Sequence, residues 1–166
     1  MTRRLVAWCC ALLLAGCAGT HRPVVSATAA PATIEIVPVS FRLWELVTIN
    51  HDGGVHLGIG LFGNLTSDGR LTRSDGTLIA TLDADGMVRI AGVADPTFHI
   101  THDGVPQALP IVNGEEGPPA YYMDDASLVV GANNSSTPVA GYRQDAAAET
   151  LFVASVIVGT REDAWQ

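Results

Sequence analysis

An aspartate–glycine pair recurs along the middle of this chain inside a fixed frame. The frame is an apolar residue, any two residues, Asp-Gly, any one residue and a second apolar residue. Its copies begin at Ile49, Leu65 and Leu82, with a degenerate copy at Ile100, so they start 16, 17 and 18 residues apart. Asp-Gly is a strong hairpin signal because both central residues of a two-residue type I′ turn need positive φ. The repeat therefore predicts a series of hairpins with two-residue turns.

The segments between these turns complete the prediction of the fold class. One repeat holds two short strands, with looser turns expected near residues 60–63, 92–96 and 113–119 and a further tight turn at Asp75-Gly76. Apolar and polar residues alternate between the turns, as in half-buried strands. We therefore predict a mainly β domain, an antiparallel meander closed into a barrel or a sandwich. The alternative, a calcium-binding repeat array, lacks the glycine-rich nonapeptide spacing.

The C-terminal part departs from the repeat. Residues 133–137 are polar and predict a loop, and residues 144–158 are mostly apolar after an acidic start with three alanines. The early acids and alanines favour a helix, whereas the valines that follow favour a strand. The length of about 15 residues favours a helix. We expect it to cover one end or one face of the sheet.

The N-terminus carries a targeting pattern. Arg3 and Arg4 precede an apolar run, residues 5–14, which is too short for a membrane span of roughly 20 residues. Leu14, Ala15, Gly16 and Cys17 follow, and this string resembles the lipobox of bacterial lipoprotein precursors. The resemblance implies signal-peptidase cleavage before Cys17, a diacylglyceryl group on its thiol and an acylated amino group. Several acyl chains together anchor a protein stably in a membrane.

This resemblance also sets the expected organisation of the chain. Residues 1–16 are the signal peptide, residues 17–33 the lipidated cysteine and a flexible tether, and residues 34–166 a single β-rich domain. Ala18 after the cysteine implies, in bacteria with two membranes, delivery to the outer membrane. Cys9 and Cys10 leave with the signal peptide. The mature chain then offers no disulfide, no cysteine nucleophile and no thiolate metal site.

The charge balance bears on possible partners. The nine basic residues are all arginine and face 17 acidic residues, which gives a formal net charge of −8. Loss of Arg3 and Arg4 would leave seven arginines and a mature charge near −10. A chain this acidic is a poor electrostatic partner for nucleic acid or for anionic lipid headgroups.

Local motifs point to no reaction. There is no G-x-S-x-G string, and the G-x-G-x-x-G at residues 58–63 runs into another turn instead of the helix that a dinucleotide site needs. The Asp83–Gly86 string lacks the later glutamate of an EF-hand loop. Local spacing also places no pair of the four domain histidines, His51, His56, His99 and His102, for zinc. We therefore predict no catalytic residue, no metal site and no cofactor beyond the lipid on Cys17.

Three functions follow as hypotheses. The first is a lipid-anchored cell-envelope protein with a non-catalytic structural or interaction role. The second is an envelope protein that binds a glycan or another small ligand, with Trp44, Tyr121 or Tyr122 lining the cavity and the acidic pair Glu115 and Glu116 nearby. The third is a metal-dependent hydrolase, which needs at least three histidine or aspartate side chains around one zinc ion.

Overall fold

A computed structural model describes residues 30–102, 104–131 and 134–161. The strands are β1 Val39–Arg42, β2 Leu46–Ile49, β3 Gly54–Leu57, β4 Gly60–Leu65, β5 Arg70–Thr72, β6 Leu78–Leu82, β7 Met87–Ile90, β8 Phe98–Thr101, β9 Gln107–Val112, β10 Glu115–Glu116, β11 Tyr121–Asp124, β12 Ser127–Val130 and β13 Ser135–Pro138. A single 3₁₀ turn, Gln144–Ala146, leads into the helix α1, Ala147–Gly159.

The strands form one antiparallel sheet in which sequence neighbours are also spatial neighbours. The order runs from β1 to β9 and then through β11, β12 and β13, while the short β10 pairs only with β9. Beyond the end of β13, Ser40 and Ala140 exchange two backbone hydrogen bonds of 2.9 and 2.8 Å. These bonds bring the last strand to the first and nearly close the sheet. The predicted meander is confirmed, as a barrel instead of a sandwich.

The repeated frame explains which side chains fill the barrel. Its two apolar positions lie opposite each other across a hairpin, and both side chains are buried. The pairs are Ile49 with Val55, Leu65 with Leu71, and Leu82 with Val88. Side chains alternate between the two faces of a strand, so a fixed distance from the turn puts both apolar residues on the inner face.

The geometry of the Asp-Gly turns differs from the prediction. In the first repeat the N–H of Gly53 donates to the carbonyl of Asn50, and the N–H of Asn50 donates to the carbonyl of Gly54, each at 2.9 Å. This pattern is a three-residue loop, a type I turn followed by a glycine bulge. Gly53 has φ +86°, whereas Asp52 is not among the described non-glycine residues with positive φ. The two-residue type I′ prediction is therefore wrong; only the glycine needs the left-handed region.

Consecutive hairpins also join through these bulge glycines. The carbonyl oxygens of Gly53, Gly69 and Gly86 each accept a hydrogen bond from the residue that opens the next repeat. The three bonds measure 2.8 Å from Leu65, 2.7 Å from Leu82 and 2.8 Å from Ile100. The repeat thus specifies the contact between neighbouring hairpins as well as the turn within each one.

Helix α1 occupies the inside of the barrel. Every residue from 149 to 157 is buried, including Leu151, Phe152 and Val156. The helix packs most closely on the inner face of β6 to β9 and β11. A helix that is apolar on all sides must be enclosed, because no side of it gains from contact with water. The predicted helix is confirmed, and the face that it covers is the inner one.

Two other local expectations need correction. The turn expected near residues 60–63 lies earlier, at Gly58 and Ile59, and Gly60 already begins β4. The polar segment expected to be a loop contains β13, which pairs with β12 along its whole length. Its serine and threonine side chains are mostly exposed, so this strand has no alternation of apolar and polar residues from which it could be predicted.

The barrel has two distinct ends. We call the end with the turns after β2, β4 and β6 the strap end, because residues 30–38, the strap, cross it. The strap pairs Pro31 with Asp83, and the N–H of Ile34 donates to the carbonyl of Ser67 at 2.9 Å. The far end holds the turns after β1, β3 and β5 and the last residues of α1. Among the described residues, no helix is long and apolar enough to cross a membrane.

Candidate functional site

A cleft of about 510 Å³ opens at the strap end. Its walls are the strap, the turn between β6 and β7, the end of β8 and the start of α1. Four chain segments that are distant in sequence meet here, because the meander brings the turns together and the helix begins beneath them. Polar side chains are concentrated in this cleft, and two of its carboxylates are buried.

Glu149 is the deepest of these carboxylates. It lies in the first turn of α1 and its side chain is only 1% exposed. The backbone N–H of Val37 in the strap donates to its Oε2 at 3.1 Å, whereas Oε1 has no hydrogen-bond partner among the described residues. Burial raises the pKa of Glu149 to about 7; the Val37 hydrogen bond opposes this rise and the charge of Glu35 adds to it.

Asp83 is the second buried carboxylate and is 7% exposed. Its Oδ1 accepts hydrogen bonds from the backbone N–H groups of Asp85 at 3.1 Å and Met87 at 2.9 Å. Its Oδ2 lies 3.6 Å from Nε of Arg89 and has no hydrogen-bond partner in the described chain. One oxygen of Asp83 therefore stabilises the turn between β6 and β7, and the other is buried beside the guanidinium of Arg89.

The remaining polar groups line the sides of the cleft. The hydroxyl of Thr101 is buried and has no hydrogen-bond partner in the described parts of the chain. His99 and His102 both border the cleft, and Nδ1 of His99 lies 2.6 Å from Oε1 of Glu116. Asp145, at the edge, forms an ion pair with Arg143.

The cleft is strongly acidic. The carboxylates among its lining residues are Glu35, Asp83, Asp85, Asp145 and Glu149, and no arginine stands among the described residues that line it. Arg89 and Arg143 contact some of these acids from outside the lining. Clefts lined by charge of one sign concentrate ligands of the opposite sign. The arrangement suits a ligand that carries positive charge and donates hydrogen bonds.

The donor set does not form a metal centre. In residues 30–102, 104–131 and 134–161, no group of three histidine, cysteine, aspartate or glutamate side chains is placed to hold a metal ion. Zinc sites in proteins need three or four such ligands around one ion. The geometry therefore gives the hydrolase hypothesis no support.

The aromatic residues considered for a ligand cavity are not brought together. Trp44 lies at the far end, 38% exposed, with the guanidinium of Arg161 stacked 3.9 Å from the ring centroid. Tyr121 is buried in the core and Tyr122 is half-buried on the neighbouring position of β11. The acidic pair Glu115 and Glu116 forms β10. Glu116 contacts His99, which borders the cleft.

The predicted lipid-attachment site lies outside the described residues. This holds for Leu14, Ala15, Gly16 and Cys17 alike.

Sequence reasoning missed the two buried carboxylates. Glu149 is one of the early acids that favour a helix over residues 144–158, and a lone acid inside an apolar run that extends to Val158 is a usable signal of burial. Asp83 stands out in the sequence only as part of a string that fails as an EF-hand loop. No local pattern shows that the two residues share a cleft, because they are 66 positions apart.

Comparisons of the chain with protein-family models, with curated proteins and with solved structures find no match. The function therefore has to be argued from the chain itself.

Proposed function

We propose that this chain is a lipid-anchored cell-envelope protein whose barrel has a non-catalytic interaction role. The anchor rests on the lipobox resemblance at residues 14–17 and on Ala18 after the cysteine. The interaction role rests on one structural observation: helix α1 fills the barrel, so contact with other molecules has to take place on the outside and at the ends. Binding residues are often carried by loops that a rigid scaffold positions.

The proposed anchor would hold the barrel close to the membrane. The strap begins at residue 30, thirteen residues after Cys17. A fully extended chain of that length spans at most about 45 Å, since each residue contributes roughly 3.3–3.6 Å. The tether would join the barrel at the strap end, beside the acidic cleft.

The anchor is tested by replacing its cysteine. We expect Cys17→Ser to move the protein from the membrane fraction to the soluble fraction, because the variant has no thiol to receive the lipid. The measurement is cell fractionation in detergent-free buffer followed by immunoblotting. Cys10→Ser is the matched control, since Cys10 would leave with the signal peptide, and it should stay in the membrane fraction. A Cys17→Ser protein that still sediments with membranes would contradict the anchor.

The interaction role is tested by crosslinking in cells. Mass spectrometry of material that co-purifies with the anchored protein should yield one abundant partner, with crosslinks to the exposed ends of the barrel or to residues 113–119. A well-expressed protein that gives no partner would weigh against this role.

A second candidate function is the binding of a small ligand. The observation that favours it is the cleft of about 510 Å³ with two buried carboxylates that each leave one oxygen without a hydrogen-bond partner. A volume between roughly 300 and 1,000 Å³ is typical of small-molecule sites. The expected aromatic lining is replaced by acids and aliphatic side chains, which favours a cation over a glycan. Thermal-shift screening against cations and neutral sugars distinguishes the two ligand classes.

A further inference from the structure

We propose that the strap-end cleft binds a primary ammonium group on an aliphatic stem, with the ammonium held by Glu149 and Asp83. This inference rests on the ligand-binding candidate above and names its ligand class. It does not depend on the lipid anchor or on a protein partner.

Glu149 has a buried oxygen without a hydrogen-bond donor in the described chain. Oε1 of Glu149 is enclosed, lies in a residue that is only 1% exposed and has no donor among the described residues. A buried acceptor without a donor is unfavourable, because the water lost on burial is not replaced. A cation that enters the cleft supplies the missing donor and the opposite charge together. Oδ2 of Asp83 also lacks a hydrogen-bond donor in the described chain, although Nε of Arg89 lies 3.6 Å from it.

The hydrogen bonds that the two carboxylates already accept favour an ammonium over a guanidinium. Oε2 of Glu149 is occupied by the N–H of Val37, and Oδ1 of Asp83 is occupied by two backbone N–H groups. Each carboxylate therefore has one oxygen without a hydrogen-bond donor among the described residues, and that of Asp83 lies 3.6 Å from Nε of Arg89. A guanidinium fork is matched to two oxygens of one carboxylate, whereas an ammonium directs three separate donors. The occupied oxygens thus favour the ammonium.

The lining of the cleft also suits an apolar stem. Aliphatic side chains line it beside the carboxylates, among them Ile34, Leu82, Ile100 and Ala148. Methylene groups that leave water for such a surface are stabilised by the hydrophobic effect. An unbranched alkyl chain with a terminal ammonium matches this combination. Its source is either a free alkyl amine or the side chain of a lysine-like residue in a peptide.

The test is calorimetric titration of the purified full-length protein in detergent with four probes. Cadaverine represents free alkyl amines, Nα-acetyl-lysine amide represents a peptide side chain, and butylguanidinium and zinc are the competitors. We expect at least one amine to bind more tightly than butylguanidinium by about tenfold or more. Preference for cadaverine or for the lysine amide identifies the source.

Variants locate the binding. Glu149→Gln should weaken amine binding by about tenfold or more. Asp85→Asn, at an exposed position of the lining, should weaken it by only about two- to fivefold. Because Asp85 is on the surface, the affinity of the Asp85→Asn variant can still be measured if Glu149→Gln fails to fold. Asp75→Asn at the far end is the matched control and should leave affinity unchanged.

The pH dependence of amine binding is a further measurement, and it would not change in Glu149→Gln if Glu149 had only a structural role. Amine binding should tighten from pH 6 to pH 8 as Glu149 loses its proton, and Glu149→Gln should reduce that dependence. The other titratable groups around the cleft are Glu35, Asp83, Asp85, His99, His102 and Asp145. Protonated histidines repel a cation and so also make amine binding depend on pH. The difference between the natural protein and the Glu149→Gln variant therefore gives the part of the pH dependence that is due to Glu149.

Three results would overturn the inference. They are no amine binding at concentrations of about 10 mM, amine binding that Glu149→Gln and Asp85→Asn leave unchanged, and saturable zinc binding with no amine binding. None of them bears on the membrane anchor, because fractionation of the Cys17→Ser variant is measured in cells and without a ligand.

Discussion

The two ends of the barrel are formed by the same strands, but they differ in the groups that cover them. At the strap end the backbone of the turns forms hydrogen bonds with other parts of the chain. The bulge glycines accept hydrogen bonds from the next hairpin, and the strap pairs with the turns that it crosses. At the far end apolar side chains remain exposed, namely Trp44, Leu46, Ile59 and Leu61. The far end is therefore an apolar rim, whereas the strap end is largely covered by backbone and exposes one large apolar side chain among the described residues, Val105 in the turn between β8 and β9.

The Asp-Gly turns at the two ends lie in different surroundings. Gly53 at the strap end and Gly76 at the far end have nearly the same φ, +86° and +84°. A Cβ built on Gly53 would overlap the carbonyl oxygen of Leu65, whereas one built on Gly76 would have no heavy atom within 4 Å. The same two-letter signal thus makes a turn at both ends, but only at the strap end does it also join two hairpins.

The largest expected effect tests this distinction. Gly53→Ala should lower the free energy of unfolding by roughly 2–5 kcal/mol, because the left-handed conformation and the overlap with Leu65 add together. Gly76→Ala should lower it by only about 1 kcal/mol, since the conformation alone is unfavourable. Urea denaturation of both variants measures the difference. Equal losses would mean that the two turns lie in equivalent surroundings.

The second effect concerns the carboxylate beneath the strap. Between the ordinary pKa of 4.5 and the folded-state pKa of about 7, the folded protein holds more protons on Glu149 than the unfolded chain does. Stability should therefore fall as pH rises through this window, by on the order of 3 kcal/mol in total. Glu149→Gln should flatten this slope and be more stable than the natural protein at pH 8. Chemical denaturation at several pH values measures both quantities.

A matched control separates this effect from general surface charge. Glu35 lies on the strap close to the same cleft, but its side chain is 63% exposed. Glu35→Gln removes one negative charge without removing a buried group, so it should leave most of the slope in place. If Glu35→Gln flattens the slope as much as Glu149→Gln does, burial of Glu149 is not its cause.

The smallest expected effect lies at the far end. Ile59 is fully exposed at the tip of the turn between β3 and β4. Ile59→Ser should change the free energy of unfolding by less than about 0.5 kcal/mol, as is usual for surface positions. Leu65→Ser, at a buried position of the next strand, should be strongly destabilising by comparison. A large loss for Ile59→Ser would mean that the rim is covered in solution.

The sequence predicted the local parts of this fold well. The spacing of apolar residues around each Asp-Gly pair predicted the hairpins and their inward faces, because strand alternation is a local rule. The turn type was wrong, since Asp-Gly also suits a type I turn with a glycine bulge and the number of loop residues decides between the two. Strand β13 was missed because its exposed side chains carry no apolar alternation.

The candidate site was beyond such reasoning. The pairing of Glu149 with the backbone of Val37 spans 112 positions and depends on where the strap crosses the barrel. The sequence could mark Glu149 as an acid in an apolar run, but it could not place Asp83 beside the same cleft. The aromatic residues were selected by type alone, and tertiary packing separated them.

The hairpins, the C-terminal helix and the targeting pattern that predicts a lipid anchor can be read from the chain, because each depends on residues that are close together in it. The position of the helix inside the barrel, the strap across one end and the two buried carboxylates of one cleft appear only in the folded protein. Burial depends on which distant segments meet, and the meander brings them together only when the barrel closes.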